Sequence, residues 1–132
     1  MSTSGLDHVN ILTDDLDATV AFYEQVLELK RGKSTAEERG IAGAWMLDPS
    51  GHALVHLIGN APGLWLGEGR SPGQSTNAVH HIAFRCSGFA ETQKRLGELG
   101  IDYQVNDGAY GLRQIVLQDP NAITVEMNFT GE

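Results

Sequence analysis

Three histidines and one glutamate are the residues of this chain best suited to metal chemistry. They are His8, His56, His81 and Glu126. Imidazole nitrogens combined with a carboxylate suit a divalent transition metal such as Fe, Ni, Co, Mn or Zn. We therefore predict a metal site in which His8, His81 and Glu126 are the principal ligands and His56 is a fourth.

The four residues occupy equivalent places in two halves of the chain. Each half opens on a strand-like run with histidine in third place, LDHVNI at 6–11 and VHHIAF at 79–84. Each half also has an Asp-Pro turn, beginning at Asp48 or Asp119, and then a strand that carries His56 or Glu126. The paired histidines are 73 residues apart, the turns 71, and His56 and Glu126 70, which indicates an internal duplication.

The segments between these motifs predict the same module, βαβββ, in each half. The predicted helices cover about 14–29 and 88–99, with Thr13 or Asp14 and Ser87 as N-caps, and the located strands cover 42–47, 53–58, 112–118 and 123–129. The modules cover about 5–59 and 78–130, and a Gly- and Pro-rich linker at about 60–77 joins them. The expected fold is a single α+β domain over 1–132.

Strand alternation predicts that the candidate ligands share one kind of sheet face. The apolar residues an odd number of positions from each candidate ligand fall on the other face; they are Val9 and Ile11, Val55 and Leu57, Ile82 and Phe84, and Val125 and Met127. We expect those apolar faces to pack against the helices. By this count His80 falls on the apolar side, and it is left out of the site.

The composition narrows the class of protein. The formal net charge is −8, which would repel a phosphate backbone. The densest basic group is Lys30, Arg31 and Lys33, which we interpret as a solvated helix end. Nucleic acid is therefore not an expected partner. A single cysteine, Cys86, excludes an internal disulfide. We see no signal-peptide pattern and no apolar run of about 20 residues, and we expect a cytoplasmic protein with no membrane contact.

The motifs LDHVNI, VHHIAF and DPNAITVEMNF resemble those of the vicinal-oxygen-chelate superfamily over nearly the whole chain. That superfamily includes glyoxalase I, methylmalonyl-CoA epimerase, extradiol dioxygenases, and the fosfomycin and bleomycin resistance proteins. The resemblance implies two βαβββ modules that form a cup-shaped mixed sheet around a metal, with the helices on the outer face, often in a homodimer. It assigns ligation to His8, His81 and Glu126. His56 departs from the pattern, because a carboxylate or amide is typical at that place.

The resemblance also implies a small substrate that chelates the metal through two neighbouring oxygens, and it leaves three functions open. The first is a glyoxalase- or epimerase-like isomerase or lyase, with Glu126 or His56 as the base. The second is an Fe(II)-dependent ring-cleaving dioxygenase of the extradiol type, with Tyr110 as a candidate proton donor. The third is a metal-free drug-binding resistance protein, against which the presence of the ligand set argues.

Overall fold

The computed structural model describes residues 2–60, 71–107 and 111–130 of the chain. It divides into two compact units, Met1–Pro72 and Gly73–Glu132. Within the described ranges no helix has the length and apolar character needed to cross a bilayer.

Unit 1 is a four-stranded sheet with one long helix. Its elements are β1 (Val9–Thr13), α1 (Leu16–Gln25), β2 (Lys30–Lys33), a 3₁₀ helix (Thr35–Arg39), β3 (Gly43–Leu47) and β4 (Ala53–Gly59). The strand order is β1-β4-β3-β2; β1 and β4 run parallel, and the other pairs are antiparallel. The unit is a βαβββ module, as predicted.

Unit 2 repeats this topology. Its elements are β5 (Ile82–Cys86), α2 (Phe89–Leu99), β6 (Gln104–Asp107), β7 (Arg113–Gln118) and β8 (Thr124–Phe129). The order is β5-β8-β7-β6, again with one parallel pair, β5 and β8. Two four-stranded mixed sheets, each with a helix, confirm the α+β fold class.

One face of each sheet carries the apolar core. In unit 1, Met46, Val55 and Leu57 are fully buried, and α1 packs against the strands that carry them, β3 and β4. In unit 2 the ring of Phe89 from α2 meets Phe129 edge to face, with ring centroids 5.4 Å apart. Each buried side chain of this size contributes roughly 1.5–3 kcal/mol. Helix and core therefore occupy one face of each sheet, opposite the face that carries His56 in unit 1 and Glu126 in unit 2.

The first helix is shorter than predicted. Asp15, rather than Thr13 or Asp14, is the N-cap, and its side chain accepts a hydrogen bond from the backbone N–H of Ala18. The helix ends at Gln25, and Glu28 then adopts a left-handed φ of 54°, which turns the chain out of the helix. The second helix begins after Gly88 rather than after Ser87.

The interpretation of Lys30, Arg31 and Lys33 as a helix end is wrong. These residues form the edge strand β2, which pairs antiparallel with β3. Short, charged strands of this kind are common at sheet edges, where they prevent further strand pairing. Because β2 and β6 lack apolar alternation, the sequence did not locate either of them.

Candidate metal centre

His8 directly precedes β1, and one of its ring nitrogens already has a partner. Its Nδ1 lies 2.6 Å from Oδ2 of Asp7, and the hydrogen bond from His8 holds the pKa of Asp7 below its ordinary value of 3.8. Metal-binding histidines typically donate their second ring N–H to a carboxylate or carbonyl in this way, which fixes the ring and its tautomer. The Nε2 atom of His8 is the nitrogen left for a metal.

His81 occupies the equivalent place directly before β5. Its Nδ1 lies 2.9 Å from Nδ1 of His80, and its Nε2 lies 3.8 Å from Oε2 of Glu126. In the tautomer in which Nδ1–H of His81 donates to Nδ1 of His80, Nε2 of His81 carries the lone pair that a metal would need. In both units the residue just before the histidine thus holds Nδ1. Sequence reasoning missed His80 because it lies outside the strand, where alternation does not apply.

The carboxylate of Glu126 is oriented by amide side chains of its own sheet. Asn128 donates a hydrogen bond from Nδ2 to Oε2 of Glu126 at 3.1 Å, and Gln114 donates from Nε2 to Oδ1 of Asn128 at 3.0 Å. Both contacts of Glu126 engage Oε2. Within the described ranges Oε1 has no hydrogen bond or ion pair, so one carboxylate oxygen is held and the other is free to take a ligand.

His56 lies on the face of its sheet opposite the core, but it is buried there, with 8% of its surface exposed. Its Nε2 is 2.7 Å from Oγ of Ser34, and its Nδ1 is 3.4 Å from Nδ2 of Asn10. Because an amide nitrogen can only donate, Nδ1 accepts and Nε2–H donates to Ser34. Burial lowers the pKa of His56 below its ordinary value of 6.5, with a smaller effect from His8.

Trp45 connects the two histidines of unit 1. Its ring stacks on His56 at a centroid distance of 3.9 Å and an interplanar angle of 8°, and it meets His8 in a T-shaped contact at 4.8 Å. The indole therefore packs between His56, whose two ring nitrogens are hydrogen bonded, and His8, whose Nε2 is available.

Strand register shows that His56 and Glu126 are exact counterparts. Asn10, two residues after His8, pairs with His56 across β1 and β4. Ala83, two residues after His81, pairs with Glu126 across β5 and β8. The duplicated sheets thus put a different side chain at the same place, an imidazole in unit 1 and a carboxylate in unit 2.

The structure brings some of the predicted residues together and not others. His81 and Glu126 face each other, and His8 and His56 share the ring of Trp45. Over residues 2–60, 71–107 and 111–130, no three His, Cys, Asp or Glu side chains are grouped closely enough to hold one metal ion. Tyr110 lies outside the described residues.

Unit 2 also carries an open depression of about 750 Å³. Several of its lining residues share the face of Glu126; they are Gln104, Val116, Gln118 and Thr124. Val116 pairs directly with Glu126, so the depression begins one strand away from the carboxylate. Its polar lining comprises the amides of Gln104 and Gln118, the hydroxyls of Tyr103 and Thr124, and the carboxylate of Asp102, all of which can hydrogen bond to a small molecule.

Comparison with known proteins identifies the family. Residues 5–127 match the model of the glyoxalase/bleomycin resistance protein/dioxygenase superfamily. The chain belongs to this superfamily. The resemblance predicted from the motifs around His8, His81 and Glu126 is thereby confirmed.

The sequence identity to individual members of the superfamily is below 30% for the relatives compared. The chain is 29% identical over 131 residues to "Glyoxylase I 4" of Arabidopsis thaliana, which covers 94% of this chain and 70% of that protein. Among solved structures, a glyoxylase/bleomycin resistance protein/dioxygenase domain from Frankia sp. EAN1pec matches with a TM-score of 0.72 at 21% identity, covering 99% of this chain and 95% of that one.

A crystallised mutant of the fosfomycin resistance protein FosX from Listeria monocytogenes matches with a TM-score of 0.74 at 19% identity, covering 98% of this chain and 95% of that one. At these identities the two solved structures support the fold and leave the reaction open.

Proposed function

We propose that this protein is a divalent-metal-dependent enzyme whose metal ligands are His8, His81 and Glu126. The observation that carries the proposal is the pairing of His81 Nε2 with the Glu126 carboxylate, with Nδ1 of His81 held by His80. His8 has the same arrangement, with Nδ1 held by Asp7. Two imidazoles with Nε2 available and one oriented carboxylate suit a transition metal and leave coordination positions for a substrate.

His56 takes a different role in this proposal. Both of its ring nitrogens are hydrogen bonded inside unit 1, so ligation by His56 would require Ser34 to release Nε2. The fourth-ligand prediction therefore depends on a rearrangement around Ser34. With both ring nitrogens bonded inside unit 1, His56 supports Trp45, which in turn contacts His8.

The reaction we propose is an isomerisation or lyase reaction on a small molecule with two neighbouring oxygens. The FosX structure contains Mn(II) and 1S,2S-dihydroxypropylphosphonic acid, a ligand with adjacent hydroxyl groups. When bound, the metal would act as a Lewis acid towards such oxygens. Asn128 would hold Oε2 of Glu126, and Oε1 would face the metal or accept a proton from the substrate carbon.

A ring-cleaving Fe(II) dioxygenase is the second candidate, and one observation favours it. If His56 stays bonded to Ser34, the ligand set is two histidines and one carboxylate, the set of non-haem Fe(II) oxygenases. Oxygen uptake with catechols under Fe(II) loading, compared with proton exchange next to a carbonyl in D₂O, separates the two reactions.

The metal site is tested by elemental analysis and Mn(II) titration of untagged protein. We expect bound divalent metal in the purified protein and a loss of affinity of at least about tenfold in His81→Ala and Glu126→Gln, since each removes a ligand. Glu98→Gln, an exposed glutamate on α2 of the same unit, is the matched control and should bind as the parent does. A folded protein that binds no divalent metal would contradict the proposal and would favour a metal-free binding protein.

We further propose a homodimer, which sedimentation of the same samples tests.

A further inference from the structure

Arg85 lies on the same sheet face as Glu126. In β5, Ala83 and Arg85 are exposed, and the residues that alternate with them are less exposed. Ala83 pairs with Glu126, and Arg85 pairs with Asn128, the residue that orients Glu126. Neighbouring strands are about 4.8 Å apart and alternate residues about 6.6 Å apart, so an arginine side chain at this position is long enough to reach the space in front of the carboxylate.

Arg85 has no acidic partner in the part of the chain that the structure describes, whereas Arg31 and Arg113 each have one. Arg31 pairs with Glu37 at 3.9 Å. Arg113 lies 3.6 Å from Asp107, and its guanidinium sits over the ring of Phe89 on the helix side of the sheet. Arg113 therefore points away from the Glu126 face, and Arg85 is the arginine whose charge is available there.

Residues that pair side by side across neighbouring strands form a row, and the row that contains Arg85 is polar in unit 2 but not at the equivalent place in unit 1. In unit 2 the row runs Arg85, Asn128 and Gln114. The same row of unit 1 contains only apolar residues or glycine, namely Leu12, Ile58 and Gly43. Register is preserved between the units, so the difference lies in the side chains alone. Unit 2 has one cation and two amides beside the proposed ligand, where unit 1 offers an apolar wall.

The positive charge of Arg85 indicates that this row would bind an acidic group of a small molecule. The chain carries a formal net charge of −8, which repels an acidic small molecule unless a cation is placed where it binds. A guanidinium offers a fork of N–H donors that matches a carboxylate or a phosphonate in two parallel hydrogen bonds.

We infer that Arg85 determines substrate specificity by binding an acidic group, a carboxylate or phosphonate, of the molecule whose neighbouring oxygens reach the metal at Glu126. This inference rests on the proposed function, because the site of chelation fixes which part of the molecule lies near Arg85.

Matched hydroxamates test the inference on the Mn(II)-loaded protein by calorimetry. Acetohydroxamate chelates through two neighbouring oxygens and has no other charge; succinic monohydroxamate adds a carboxylate, and phosphonoacetohydroxamate adds a phosphonate. We expect at least one acidic probe to bind about tenfold or more tightly than acetohydroxamate. Arg85→Gln should abolish that preference without changing acetohydroxamate binding, and Arg85→Lys should keep part of it. Lys94→Gln, which removes an exposed charge from α2, should behave as the parent.

The outcomes separate the two proposals. If Mn(II) and acetohydroxamate bind but Arg85→Gln leaves the preference for acidic probes unchanged, or no such preference exists, the role of Arg85 is refuted and the metal site stands. If the folded protein binds neither Mn(II) nor any hydroxamate, the proposed function fails, and the inference about Arg85 fails with it.

Discussion

Removing the hydroxyl of Ser34 should destabilise unit 1 far more than a surface serine substitution would. Ser34 is fully buried. Its Oγ accepts a hydrogen bond from the backbone N–H of Ala36, which caps the 3₁₀ helix, and a second from Nε2–H of His56. In Ser34→Ala both donors lose their acceptor inside the protein.

The expected magnitude follows from those two contacts. Loss of an N-cap costs about 1 kcal/mol. Leaving the buried His56 N–H without a partner costs about 1–3 kcal/mol. The free energy of unfolding should therefore fall by about 2–4 kcal/mol, which at about 4 °C per kcal/mol lowers the melting temperature by roughly 8–16 °C.

Urea denaturation followed by circular dichroism measures this change, with Ser71→Ala, an exposed serine, as the control. A double-mutant cycle isolates the histidine contribution. In the background of His56→Phe, which keeps an aromatic ring on Trp45 but has no N–H, Ser34→Ala should cost only the cap, about 1 kcal/mol. Equal costs of Ser34→Ala in both backgrounds would refute the hydrogen-bond reasoning.

Three further predictions use other features of the two units. The pKa of His56 is below its ordinary value of 6.5 in the folded protein, so the unfolded chain binds more protons below that pH. The free energy of unfolding of the metal-free protein should therefore fall as the pH drops below 6.5. His56→Phe should flatten that part of the profile when chemical denaturation is measured at a series of pH values. Asp7→Ala should weaken Mn(II) binding about 10–100-fold, because Nδ1 of His8 loses its partner, whereas exposed Asp17→Ala should not; equal affinities would argue against ligation by His8. Burial raises the pKa of Cys86 to about 11, so iodoacetamide at pH 8 should label the folded protein much more slowly than the urea-unfolded chain; labelling at equal rates would show that the thiol is not protected.

Sequence reasoning succeeded where a short period or a repeat carried the information. The strands around His56 and Glu126 were predicted within a residue or two, at 53–58 and 123–129 against Ala53–Gly59 and Thr124–Phe129. The same alternation would have placed Arg85 on the face of His81 and Glu126, four residues after His81, but its charge was not considered at that position.

Sequence reasoning failed where a local backbone feature decided where an element ends or which element forms. The apolar spacing of α1 continues to Leu27, yet the left-handed residue Glu28 follows a helix that has already ended at Gln25. The edge strand Lys30–Lys33 has no apolar face, because it pairs on only one side and is largely exposed. Neither feature leaves a periodic trace in the sequence.

The sequence by itself determined the duplicated βαβββ modules, the family, and the equivalence of His8 with His81 and of His56 with Glu126. Those properties depend on residue types at fixed spacing, which the chain displays directly. Only the tertiary structure decided that His56 is bonded to Ser34, 22 residues away, and that Gln114 on the neighbouring strand holds Asn128, which contacts Glu126. These contacts depend on which strands become neighbours and in which register, and pairing across a sheet joins residues whose separation along the chain carries no signal of the contact.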